Sequence, residues 1–184
     1  GDVTGDGIDD LVAGAPYNRA CGPAQSGAVY VWEGTASGLD TKSPTATICG
    51  TGSILDTTSS TQDTKERVHL GEALAVAELI AGGGEEVIIG APQAHTTSGG
   101  DVLSDAGAVL VFEVDAGDGT LDEDSASCML IGSEQNAIFG SALAALDADG
   151  DGLAELLIGA PDAADGDGEA LLINGSACSV GARE

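Results

Sequence analysis

The chain has 184 residues, 31 of them acidic and five basic, for a formal net charge of −26 at pH 7. A surface this negative repels nucleic acid and anionic membranes and attracts cations and basic partners, so nucleic-acid binding is excluded from the expectations. Hydrophobic residues reach 42%, enough for a core, and no apolar run approaches the roughly 18 residues of a membrane span.

By length the chain is one domain. It opens on Gly1 without a methionine and reads as a segment of something longer, so the lack of a visible leader carries no weight.

In chain order, an acidic loop over residues 2–10 leads into a predicted strand at 10–16, DLVAGAP. Further strands are expected at 27–32 (GAVYVW) and 45–49. The polar stretch 51–65 reads as a surface loop. The pattern then starts again, with strands at 72–78, at 86–92 (EVIIGAP) and at 107–112 (GAVLVF). Residues 115–125 read as another surface loop, followed by a strand at 127–131. A third round has strands at 141–146, at 155–161 (ELLIGAP) and at 168–173 (GEALLI). With 29 glycines and weak helical periodicity, long helices are not expected.

The Gly-Ala-Pro glycines, Gly14, Gly90 and Gly159, lie 76 and 69 residues apart. Helical solenoid units run from about 20 to 47 residues, so this period suits a four-stranded unit with loops instead. Three units follow, at about 1–69, 70–138 and 139–184. In 27–32 and 107–112 both alternating sets of side chains are apolar, so these strands are expected to be covered on both faces. A sheet stacked between two others provides that environment, as a propeller blade does.

Two loops carry the chemistry. In 147–155, Asp147, Asp149, Asp151 and Glu155 place side-chain oxygens at positions one, three, five and nine, and Leu153 can add its carbonyl at position seven. Calcium takes six to eight hard oxygen ligands, and carboxylates this crowded repel one another unless a cation neutralises them. In 2–10, Asp2, Asp6 and Asp10 recur, Thr4 replaces the carboxylate at position three, and Ile8 offers the carbonyl. Two calcium sites are therefore expected, the second weaker. The corresponding loop 78–86 keeps Glu78 and Glu86 but has Ile80, Gly82 and Gly84 between them, and is expected to be metal-free. An EF-hand would need an acid at position twelve and a following helix. Here Ala13 and Ile158 fall there, inside strands. A solvated acidic turn without metal is the competing reading.

Phe139-Gly140, the acidic loop 147–155 and Gly159-Ala160-Pro161, in that order, resemble the FG-GAP repeat of integrin α-chain propellers and many bacterial extracellular proteins. The second unit has Leu70-Gly71 in place of Phe-Gly, and the first lacks that part. The resemblance implies an all-β propeller, about three blades of it being present. It also implies calcium in hairpin loops between the first and second strands of a blade, an extracellular or cell-surface location, and adhesion to a protein or glycan ligand. Three blades do not close a ring. The rest of a propeller, or another copy of the chain, is expected to complete it.

An enzyme is not expected. His69 and His95 stand alone, no Gly-x-Ser-x-Gly elbow occurs, and no phosphate-binding loop with its lysine is present. The alternative is an accessory or catalytic propeller of a secreted hydrolase. Cys21, Cys49, Cys128 and Cys178 form no C-x-x-C pair and suit disulfides in an oxidising compartment, although four buried small hydrophobes would look the same. Pairing Cys21 with Cys49 and Cys128 with Cys178 would staple one unit and bridge two. The sequence leaves all three connectivities open. Eight of the acids lie in the two loops, and the other 23 suggest saline surroundings, a basic partner or a plain solubilising surface.

Overall fold

A computed structural model describes residues 1–21, 25–39, 41–51, 68–98 and 101–178. The strands run in chain order as β1 (Leu11–Ala15), β2 (Ala28–Trp32), β3 (Ala46–Cys49), β4 (Ala73–Ala77), β5 (Glu86–Ala91), β6 (Thr96–Ser98) and β7 (Asp101–Leu103). Then come β8 (Ala108–Phe112), β9 (Gly119–Asp122), β10 (Cys128–Ile131), β11 (Ala142–Leu146), β12 (Glu155–Ala160) and β13 (Glu169–Ile173). Among the described residues there is one α-helical turn, Ala163–Gly166, four residues long. The chain is all-β, and among its described residues no helix is long and apolar enough to cross a membrane.

Three sheets hold nearly all of these strands. The first runs β1-β2-β3-β9, the middle one β4-β5-β8-β10, and the third β11-β12-β13. Each is built on one antiparallel meander, with β1–β2, β5–β8 and β12–β13 as equivalent pairs. Strand alternation sends one set of side chains to each face. On the middle sheet Val87, Ile89, Leu110 and Phe112 pack with Val29, Val31 and Ile48 of the first sheet. Its other face sends Ile88, Val109 and Val111 against Leu156 and Ile158 of the third. Two cores therefore flank one sheet, and every residue of β5 and β8 is buried.

The Gly-Ala-Pro glycine has a packing reason. A Cβ on Gly90 would stand 2.1 Å from the Gly140 carbonyl oxygen, and one on Gly14 2.1 Å from that of Gly71. No side chain fits where backbones approach this closely. The Leu70-Gly71 and Phe139-Gly140 pairs thus dock each following sheet onto the Gly-Ala-Pro strand before it. Parallel bridges from Gly27 to Leu70 and from Gly107 to Phe139 reinforce both junctions.

The ten strands expected from the sequence all form. Two expectations are corrected. Residues 115–125 are not merely a surface loop, because β9 pairs in parallel with β3, from Ala46↔Gly119 to Cys49↔Asp122. Its Gly-Thr-Leu-Asp sequence has no alternation to read. The strand exists because β3 offers an open edge and Leu121 packs on the first core. The turn Glu123–Ser125 then buries Glu123, whose two carboxylate oxygens accept from Thr51 N and Thr51 Oγ1 at 2.8 Å each. The second correction concerns β2. Tyr30 and Trp32 are only half-buried, and among the described residues no sheet packs on that side. β6 and β7 add an antiparallel pair, from Thr96↔Leu103 to Ser98↔Asp101, outside the ten expected strands. Of the expected 51–65 loop, residues 52–65 lie outside the described residues.

Candidate metal centre

The loop between β11 and β12 begins where the antiparallel register ends, at Leu146↔Glu155. Its carboxylates curl the main chain around themselves. Asp147 accepts from Gly150 N at 2.7 Å and from Gly152 N at 3.1 Å, one bond to each oxygen. Asp149 accepts from Asp151 N at 3.1 Å and Asp151 from Leu153 N at 2.8 Å. Gly150 (φ 80°) and Gly152 (φ 95°) supply the left-handed backbone that this curl requires. As a result Asp147, Asp149 and Asp151 each bring one oxygen to within 4.8 Å of the others, and they form the only such group among the described residues. Glu155 closes the loop by accepting from Ala148 N at 2.8 Å through Oε2, while its buried Oε1 has no hydrogen-bond partner.

The 2–10 loop is built in the same way. Asp2 accepts from Asp6 N at 3.0 Å and Gly7 N at 2.9 Å, and Asp6 accepts from Ile8 N at 2.8 Å. Both oxygens of Asp10 are engaged, by Thr4 N at 2.9 Å and Gly34 N at 2.8 Å. Asp2, Asp6 and Asp10 do not converge as the third loop's aspartates do. Thr4 Oγ1 is buried and unpartnered.

In the 78–86 loop, Glu86 is buried and accepts from Leu79 N at 2.6 Å and Ile80 N at 3.2 Å. Burial pushes its carboxyl above the ordinary carboxylate range, against the pull of those amide bonds. The position-nine acid therefore caps the loop's own main chain in all three units. That duty was not anticipated, although the signal was present, since the acid persists in the one loop that has lost its oxygens at positions three and five.

The three loops stand side by side at one end of the sheets. Asp2 N donates to Glu85 Oε2 at 2.8 Å and Glu85 N to Asp2 O at 2.9 Å, while Ala154 N donates to Glu78 O at 2.7 Å. A cleft of about 340 Å³ between the first two is lined by Val3, Thr4, Gly83, Glu85, Glu113 and Asp115. Neither histidine takes part. His69 is buried with Nδ1 3.2 Å from Glu72 Oε2 and its ring edge-on to Tyr17, and His95 Nδ1 accepts from Asp105 N at 3.1 Å.

All four cysteines are paired, Cys21 with Cys49 and Cys128 with Cys178. The first bond staples the first unit and the second ties the third unit to β10.

Stacked antiparallel sheets with one recurring register and one recurring loop define a β-repeat protein. The FG-GAP repeat model matches residues 1–32 and 139–173, and the chain carries FG-GAP repeats in these two segments. No curated protein matches the chain.

Proposed function

We propose that this chain is a calcium-binding β-propeller segment of three blades, one per sheet, that serves as an extracellular binding module. The convergence of Asp147, Asp149 and Asp151, in a loop whose closing Glu155 has an unpartnered Oε1, carries this reading. A cation would neutralise three carboxylates that otherwise repel, and hard oxygen donors of this number suit calcium. Those four residues, with the Leu153 carbonyl, would hold the tighter ion. Asp2, Thr4, Asp6 and the Ile8 carbonyl would hold a weaker one. Asp10 would join them, its oxygens accepting loop amides as those of Asp2 and Asp147 also do.

The ion's role is structural. It ties the first and second strands of a blade, activates no water, and leaves the module a binder of a protein or glycan ligand rather than an enzyme. Two disulfides support an oxidising, extracellular setting. Titration calorimetry on chelator-stripped protein should resolve two binding steps, and Asp149→Ala should abolish the tighter one. Absence of binding heat at millimolar calcium would overturn the reading.

A further inference from the structure

The three loops meet through one recurring contact. The amide at position eight of a loop donates to the carbonyl at position one of the loop before it, Ala154 N to Glu78 O at 2.7 Å and Glu85 N to Asp2 O at 2.9 Å. Ala154 has no polar side chain to add to this bond. Glu85 does, and its Oε2 accepts from Asp2 N at 2.8 Å, so one residue holds both the N–H and the C=O of Asp2. The Asp2 carboxylate in turn accepts from Asp6 N and Gly7 N and so curls the 2–10 loop. Gly84 lies against the same stretch. A Cβ there would stand 2.8 Å from Val3 O, 2.9 Å from Gly5 N and 3.0 Å from Asp2 O. Gly84 does not have a positive φ, and Leu153 holds the equivalent position of the 147–155 loop, so the hairpin itself does not demand glycine. The close approach of the neighbouring loop does.

We propose that the 78–86 loop is the seat of the 2–10 calcium site, with Glu85 the positioning residue for Asp2. The proposal rests on reading the 2–10 loop as the weaker site, where the buried, unpartnered Thr4 Oγ1 fits an ion. A ligand whose main chain is already fixed gives up less freedom when it takes the ion. Residues that hold metal ligands in place typically change affinity by about 10–100-fold. The bond from Asp2 N to the Glu85 carboxylate is charge-assisted and of the stronger kind. The loop without oxygens at positions three and five has thus kept a metal-related duty, exercised on its neighbour. Asp2 leads into β1 of the first sheet and Glu85 into β5 of the middle sheet. An ion on Asp2 therefore favours the docked arrangement of those two sheets, and the docked arrangement favours the ion to the same degree.

Calcium titration calorimetry on chelator-stripped wild type, Glu85→Ala and Glu85→Gln tests this. Alanine should weaken the weaker step by about tenfold or more and leave the tighter step at its wild-type affinity. Glutamine should restore most of the loss, because its amide oxygen accepts the Asp2 N–H as the carboxylate does. A weaker step unchanged in Glu85→Ala would overturn the proposal. So would glutamine binding as poorly as alanine, since Glu85 would then act through its charge and not by holding Asp2. Amide nitrogen–proton spectra of the three proteins without calcium separate this from the calcium reading. The Asp6 and Gly7 amides should shift in Glu85→Ala and return in Glu85→Gln, while Gly150 and Gly152 stay in place. Asp6 and Gly7 amides that do not move would overturn the seat whether or not calcium binds. If they move as stated in a protein whose wild type takes up one ion only, Glu85 still positions Asp2 and the calcium reading of the 2–10 loop alone has failed.

Discussion

The middle and third units share a register residue for residue, yet only one has gathered carboxylates and only one is covered on both sides. In β4–β5 and β11–β12 the pairs Ala77↔Glu86 and Leu146↔Glu155 close hairpins of equal length. The acid at position nine caps the loop's amides in both. Position one also keeps an acid that accepts a loop amide, Asp147 from Gly150 N and Glu78 from Gly82 N, whereas positions three and five differ, as Asp149 and Asp151 in one unit and Ile80 and Gly82 in the other. Position nine thus serves the loop's fold in both units, while the acids at positions three and five are present in the third unit alone of the two. The FG-GAP match covers residues 1–32 of the first unit and 139–173 of the third and passes over the middle one, where the acids at positions three and five and the Phe-Gly pair are replaced although the sheet is kept.

The largest difference between the units should appear at the Gly-Ala-Pro glycines. Gly90→Val puts a side chain into the Gly140 carbonyl and should cost about 3 kcal/mol or more, read by urea denaturation. Gly159→Val meets only Ala142 and should stay within about 1 kcal/mol. Equal costs would mean that the backbone approach does not hold the sheets together. Calcium should come next. An ion bound only by the folded state adds about 2.7 kcal/mol at a hundred times its dissociation constant, so the melting temperature should rise with calcium in the wild type and much less in Asp149→Ala.

Glu86→Ala leaves the buried Leu79 N–H without an acceptor and should cost about 1–3 kcal/mol while calcium uptake persists. Loss of calcium binding together with stability would contradict the reading of the 78–86 loop as metal-free. The smallest effect concerns pH. Burial raises the folded-state pKa of Glu86 above its unfolded value, so between the two the folded state binds more protons than the unfolded state. Stability from this group is present below the unfolded pKa and declines as pH rises through that window. Glu86→Gln should flatten the decline in a pH series of melting curves.

Much of this was legible in the sequence. Every Gly-Ala-Pro strand and its neighbours declared themselves through apolar, β-branched runs bounded by glycine, and the 147–155 loop through oxygens at odd positions. What escaped depends on contacts remote in sequence. β9 is a strand only because β3 offers an edge, and Gly-Thr-Leu-Asp carries no pattern of its own. Tyr30 and Trp32 are half-buried with no sheet on their side among the described residues, which alternation within β2 does not reveal. The engagement of both Asp10 oxygens needs Gly34, 24 residues away.

The central claim is that the 147–155 loop holds calcium while the equivalent 78–86 loop closes on itself. Amide nitrogen–proton spectra recorded through a calcium titration of chelator-stripped protein test it most directly. The account predicts that the amides of Gly150, Asp151, Gly152 and Leu153 shift first and furthest, with Gly82, Gly83 and Gly84 following only weakly. Leading shifts at Gly82–Gly84, or none at Gly150–Leu153, would contradict it.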